Sequence, residues 1–160
     1  MLNVYSLFHI NTSFSSIETN KIDVLLKKCY WPLLDLIKKT NTNIAIEASG
    51  LSLDSIAKKD IRWIEKLKEL ISKEYCEFVG SGYCQIISPL IPYTINNYNL
   101  KLGNKIYKEL LNFIPIIGFI NEQAFSKSLI KIYKDNNYKA IIIDWENSYN
   151  ADRKSTRLNS

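Results

Sequence analysis

The sequence predicts an α/β protein built on a parallel sheet, and three observations lead there. Short apolar runs alternate with longer segments whose apolar residues recur at helical spacing, giving the order βαβαβαβαβ. Two of the runs, residues 116–120 and 140–144, are almost wholly apolar, as strands are when both faces of a sheet are covered. The helical segments between runs are long enough for crossovers, which makes neighbouring strands parallel and the connections right-handed.

The elements follow in order. Residues 2–9 read as a first strand. Residues 21–40 are helical, with Ile22, Leu25, Leu26, Cys29, Leu33, Leu36 and Ile37 near 3.6-residue spacing. Pro32 lies inside that helix, so a break is expected near Tyr30-Trp31, with Pro32 in the first turn of the restart. Residues 43–47 form a second strand, and Ser52 is expected to cap a short helix. Residues 61–73 form a longer helix with Ile61, Ile64, Leu67, Leu70 and Ile71 on one face. Residues 76–79 form a third strand, closed by Gly80-Ser81-Gly82. Residues 94–111 are the next helix, with Gly103 as a weak spot in its middle. Residues 116–120 are a fourth strand, Ser126 is expected to cap a helix reaching about Asn136, and 140–144 are a fifth strand. Two architectures fit this pattern, an open doubly wound sheet and part of a (β/α) barrel. Pattern alone leans to the open sheet, because five strands do not close a barrel.

Composition narrows the function. The chain has 160 residues, enough for one core, and its 46% apolar and 23% charged residues fit a globular protein. The net charge is +5, of which the last nine residues supply +2 through Arg153, Lys154 and Arg157 against Asp152. The remaining lysines are spread along helices without interleaved aromatics, so no nucleic-acid partner is expected. No run approaches the ~20 apolar residues of a membrane span, and no basic stretch precedes an apolar one at the N-terminus. Cys29, Cys76 and Cys84, an odd number at irregular spacing, read as reduced and mostly buried thiols, which points to the cytoplasm. Residues 151–160 differ sharply from the Ile-, Lys- and Asn-rich body. They are expected to be a disordered terminus or a non-native tail resembling translated adapter sequence, leaving 1–150 as the folded unit.

In parallel α/β folds the chemistry gathers past the carboxyl ends of strands. Those ends carry Phe8-His9-Ile10-Asn11, Glu47-Ala48-Ser49-Gly50, Gly80-Ser81-Gly82-Tyr83, Asn121-Glu122-Gln123 and Asp144-Trp145-Glu146-Asn147, with Glu77 inside the third strand. One rim thus collects a histidine, carboxylates, amides and rings, an inventory suited to sugar hydroxyls and pyranose faces. Plainer roles exist for each. His9 fits a hydrogen-bonded rim histidine, Glu77 a partner for a helix lysine, Glu122 a first-turn acid of the following helix, and Asp144 a cap. With one histidine the sequence builds no multi-histidine metal site. It holds neither a phosphate loop nor a dinucleotide fingerprint, so no metal and no cofactor are expected. It also lacks a G-x-S-x-G elbow.

At these strand ends the sequence resembles glycoside hydrolase family 57. Phe8-His9-Ile10-Asn11 falls where that family has its first motif, His-Gln-Pro; His9 matches, while Ile10 and Asn11 depart. Cys76-Glu77-Phe78-Val79-Gly80 matches the second motif, a Leu-Glu-Ile-Val-Gly type of strand, and the continuation through Tyr83, Pro89, Leu90 and Pro92 is similar to the family. Phe119-Ile120-Asn121-Glu122-Gln123-Ala124 matches the third motif, Trp-Leu-x-Glu-x-Ala, with Phe119 in place of Trp. Tyr30-Trp31-Pro32-Leu33-Leu34 is typical of the first family helix. The match spans about residues 3 to 149.

The resemblance implies a parallel (β/α)7-type barrel of the glycoside hydrolase and deacetylase kind, present here as about five β/α units. It implies retaining action on α-glucans, an oligo- or polysaccharide substrate, with Glu122 as catalytic nucleophile. His9, Glu77, Tyr83 and Trp145 would bind substrate. In the family the general acid is an Asp of a fourth motif downstream, so this stretch by itself is expected to be inactive and prone to aggregate. Two other readings compete: a metal-dependent polysaccharide deacetylase on a related barrel, and a non-catalytic carbohydrate-binding protein that kept the barrel.

Overall fold

The structure, a computed structural model, describes residues 5–13, 17–40 and 44–144. Five strands form one sheet: β1 (Ser6–Ile10), β2 (Ile44–Ala48), β3 (Cys76–Gly80), β4 (Ile117–Phe119) and β5 (Ala140–Ile142). They lie side by side in chain order, and every neighbouring pair is parallel. This order decides between the two architectures. A doubly wound sheet reverses its strand order at a switch point, which sends helices to both faces. A sheet that never reverses sends every right-handed crossover to the same side. The side chains agree. Ile10, Ile44, Ile46, Ala48, Cys76 and Phe78 share one phase of the alternation and sit in a single core with the helices. The opposite face carries Leu7, His9, Ala45, Glu47, Glu77 and Val79 at matched register. This is the singly wound, barrel-type arrangement, and the lean to an open sheet drawn from pattern alone is corrected.

The first crossover holds a second correction. The helix breaks before Pro32 as expected, but as a π-helical turn: α1 (Ile22–Leu25), the π turn (Leu26–Tyr30), then α2 (Trp31–Thr40) without interruption. The wider turn absorbs the hydrogen bond that proline lacks and shifts the buried stripe by one position. The buried residues become Ile22, Leu26, Tyr30, Leu34 and Ile37, while Cys29 and Leu36 of the ideal α pattern are exposed. Cys76 is the buried thiol, and burial pushes its pKa up to about 12.

Helix α3 (Gly50–Lys59) is capped by Ser49, whose side chain accepts from the Ser52 amide at 3.2 Å, so Ser52 is the capped residue and not the cap. Helix α4 (Ile61–Ser72) is capped by Asp60, which also accepts from Trp31 Nε1 at 3.0 Å. Its buried face is Trp63, Ile64, Leu67, Leu70 and Ile71; Ile61 lies outside. Helix α5 (Tyr93–Leu111) ends on Asn112 in the left-handed conformation. Helix α6 (Ser128–Asp135) has no side-chain cap, and Ser126 precedes it by two residues. Of the strands, β2 is buried throughout, whereas β5 stands at the edge of the described sheet and is partly exposed. The fully covered position expected for the fourth and fifth strands thus belongs to β2.

The strand ends are knotted to α5 by one side chain. Tyr107 is fully buried; its hydroxyl lies 2.9 Å from Ala48 O and 2.7 Å from Gly82 O, and accepts from the Ser81 amide at 3.2 Å. Its ring meets Phe78 edge-on at 5.1 Å. Tyr107→Phe keeps the ring, takes the acceptor from the buried Ser81 amide and removes the hydroxyl from between the Ala48 and Gly82 carbonyls, of which Gly82 O keeps the Gly50 amide. It is expected to lower the unfolding free energy by about 1–3 kcal/mol, measured as a lower urea midpoint at unchanged slope.

Candidate active site

His9 and Glu47 occupy matched positions near the carboxyl ends of β1 and β2, on the face away from the helices. The Glu47 side chain is 0% exposed and that of His9 42%. One Glu47 carboxylate oxygen, Oε2, is hydrogen-bonded to His9 Nδ1. The other imidazole nitrogen, Nε2, meets Gln85 Nε2 at 2.9 Å, and Gln85 Oε1 accepts from Asn11 Nδ2 at 3.0 Å. Phe119 of β4 lies across the same face, its ring centroid 6.1 Å from that of His9. The hydrogen bond to Glu47 raises the His9 pKa above the ordinary histidine value. Burial opposes it, and the negative charges of Glu47 and Glu122 add to it.

Glu122 stands in a short 3-10 turn, Asn121–Gln123, directly after β4. Its backbone is left-handed, with φ 55° and ψ 15°, and Gln123 follows with φ 51°. For residues with a β-carbon such a conformation costs about 1–3 kcal/mol each and persists only where surroundings impose it. Here Asn121 is buried and donates from Nδ2 to Ser81 O at 3.1 Å, while Gln123 Oε1 accepts from the Asp144 amide at 2.6 Å. The turn is therefore held from both neighbouring strands, and Glu122 is the exposed residue on it. Helix α6 begins six residues later, so the plainer role of a first-turn acid does not apply to Glu122. His9, Glu47 and Glu122 come together at one rim.

The other expected residues lie elsewhere. Glu77 shares the inner face with His9 but sits one row lower, in register with Ala45, about 6.6 Å along the strand from Val79. Its carboxylate accepts from the Tyr5 hydroxyl at 2.5 Å, in place of the helix lysine considered as its plainer partner. Burial, then Glu77, raises the Tyr5 pKa. Tyr83 turns away from this rim toward α3. Its hydroxyl donates to Asp54 at 3.2 Å, and the carbonyls of Gly82 and Tyr83 accept from the amides of Gly50 and Leu51 at 2.9 Å each. The structure thus gives Tyr83 a packing role at the N-terminus of α3. Trp145 and the 151–160 tail lie outside the described residues.

Reading the sequence for roles passed over Glu47 and Gln85. The signal for Glu47 was present, a single charge in an otherwise apolar run, Ile44-Ala45-Ile46-Glu47-Ala48, where a lone carboxylate needs a partner to be buried. Gln85 had no comparable signal. Side-chain atoms buried without a hydrogen-bond partner mark the same rim. They are Thr12 Oγ1, Glu47 Oε1, Ser81 Oγ and Asn121 Oδ1, all at or just past strand ends; Trp63 Nε1 is the one elsewhere among the described residues. Among those residues no group of three His, Cys, Asp or Glu gathers as a metal site, and no helix is long and apolar enough to cross a membrane.

Residues 1–159 match Glycosyl hydrolase family 57, and the chain belongs to that family. It is 24% identical over 119 residues to an α-amylase of Pyrococcus furiosus, covering 74% of this chain and 18% of that protein. Its fold is similar to the crystal structure of the 4-α-glucanotransferase of Thermococcus litoralis, with a TM-score of 0.77 at 16% identity over 88% of this chain and 23% of the other. A family 4 carbohydrate esterase of Streptomyces lividans shares the fold less closely, with a TM-score of 0.62 at 8% identity, covering 88% of this chain and 62% of that one. The chain spans about a fifth of the length of the curated relatives it matches.

Proposed function

We propose that this chain carries the nucleophile half of a retaining glycosidase or glucanotransferase site acting on α-glucans, with Glu122 as the nucleophile. The observation that carries the reading is the left-handed Glu122, held exposed at the end of β4 within electrostatic reach of the His9–Glu47 pair. A retaining enzyme uses two carboxyl groups ~5–5.5 Å apart. Glu122 attacks the anomeric carbon, the leaving oxygen departs with a proton from the second group, and a glycosyl ester forms on Glu122. Water or a sugar hydroxyl then releases it with retention. His9 offers Nε2 to a hydroxyl of the sugar under attack, as an acceptor while the ring is neutral and as a donor once it is protonated, and Ser81 and Asn121 offer further polar atoms at the same rim. Glu77, one row deeper, closes the floor, and Trp145 supplies a stacking ring. The proton-donating Asp belongs to a later part of the barrel. Residues 1–150 are assigned to the barrel portion. The free thiols fit a reducing, cytoplasmic setting.

The Pyrococcus furiosus and Thermococcus litoralis proteins, named for action on α-glucans, support this substrate class. The deacetylase reading has the weaker fold likeness, and it needs several metal ligands where this sequence offers one histidine, already engaged by Glu47 and Gln85.

A fluorinated α-glucosyl fluoride tests the nucleophile without the acid, because fluoride leaves unprotonated. We expect a covalent glycosyl adduct on Glu122, located by mass spectrometry of the peptide spanning residues 109–127. Reaction elsewhere, or none by the folded protein, contradicts the assignment.

A further inference from the structure

We propose that Glu47 is a positioning residue: from its buried place on β2 it fixes the ring plane and tautomer of His9, so that Nε2 is the nitrogen offered at the rim beside Glu122. The proposal rests on the reading of His9 and Glu122 as one substrate-facing site, and it assigns a role that the strand-end motifs do not include.

The geometry is a chain of directed hydrogen bonds. Asn11 Nδ2 donates to Gln85 Oε1, which leaves Gln85 Nε2 as the donor to His9 Nε2. An imidazole that accepts at Nε2 carries its proton at Nδ1, and that proton goes to Glu47. The carboxylate cannot turn away, because its side chain is wholly buried between register partners His9 and Val79. A buried carboxylate without a donor would be costly, so the pair is also what makes Glu47 tolerable in the only strand buried throughout among those described. Glu47 Oε1 has no partner.

The charged groups that act on His9 are Glu47 from β2 and Glu122 from the turn after β4. The loop after β3 contributes the neutral Gln85, and β4 contributes Phe119. On the helix packed beside β1 the titratable neighbours are Cys29 and Tyr30, and Tyr30 is bonded to the backbone of Asn11 at 2.8 and 3.1 Å. Positive charge gained by His9 therefore sits between two carboxylates. When His9 is protonated at Nε2, Gln85 must present its oxygen instead of its nitrogen, so the charge of the ring and the orientation of the amide change together.

His9 is the only histidine in these 160 residues, and in the protein that carries them its nuclear magnetic resonance signals are identified as those lost in His9→Gln. In the unaltered chain, imidazole ¹⁵N shifts above the titration point are expected to show the Nδ1–H tautomer, against the Nε2–H form that free imidazole side chains favour. In Glu47→Gln the amide oxygen still accepts from Nδ1. The tautomer should persist while the titration point falls toward the ordinary value of 6.5. In Glu47→Ala both should be lost. An Nε2–H tautomer in the unaltered chain overturns the proposal even if neither variant folds, and so does an unmoved titration point in a folded Glu47→Gln. Glu122→Gln should lower the titration point and leave the tautomer alone. An adduct missing from Glu122 would sink the glycosidase reading while leaving the tautomer result intact, so the two failures are distinguishable.

Discussion

Glu122→Gln is expected to reduce turnover of an α-glucan, by the protein that carries this chain, at least about a thousandfold, because an amide in place of the nucleophile cannot form the glycosyl ester. The substitution is nearly isosteric, and Glu122 is exposed, so neither core nor turn should be disturbed. The left-handed backbone at positions 122 and 123 is imposed by Asn121, Ser81 and the Asp144 amide, none of which the change touches. Turnover should therefore fall with little change in substrate affinity or melting temperature. Turnover within about tenfold of the unaltered protein would show that another group makes the covalent bond and would end the reading of this rim.

The largest effect on stability is expected at Gly103. A β-carbon there would lie 2.5, 2.7 and 2.9 Å from C, Cα and O of Gly82, all backbone atoms. Gly82 cannot move aside: its own φ is +88°, Asn99 brackets it, and its carbonyl serves both Tyr107 and the Gly50 amide. Helix propensity alone would make Gly103→Ala stabilising by about 1 kcal/mol. Overpacking against rigid backbone reverses the sign, and we expect a net loss of about 1–3 kcal/mol, read by thermal and urea unfolding. Equal or greater stability would show that α5 has room to shift. Gly103 is thus no weak spot in its helix; it is a position at which α5 packs against the backbone of the loop after β3.

Much of the fold was legible because its signals are local. The order of strands and helices follows from apolar periodicity, and five strands lie within a few residues of where that pattern puts them. Facing and handedness were less legible. Strand order is a property of pairing at long range, so pattern alone could not separate a singly from a doubly wound sheet until the family motifs were used. The buried stripe of the first helix was misread by one position because a π turn changes the period that the reading assumes. At the site, His9 and Glu122 were legible as polar residues at strand ends. Glu47 was underweighted because burial of a carboxylate depends on a partner 38 positions away in the chain. Tyr83 directs its hydroxyl to Asp54 of α3, a contact 29 positions away that the strand-end pattern does not carry.

The sheet is unevenly stitched. Strands β1, β2 and β3 are paired along five positions each, whereas β3 meets β4 at one, Gly80 opposite Gly118. Rings fill the space those two glycines leave: Tyr107 and Tyr138 over Gly80, Tyr133 and Tyr138 over Gly118. The apolar residues divide along the same line into two clusters. His9 and Glu47 stand on one side of this seam and Glu122 on the other, with a clasp of tyrosines packed across it on the opposite face of the sheet. On the proposed reading of the rim, a change in that clasp is expected to alter the separation of Glu122 from the His9–Glu47 pair without touching any of the three, so that the outer packing acts on rate as well as on stability.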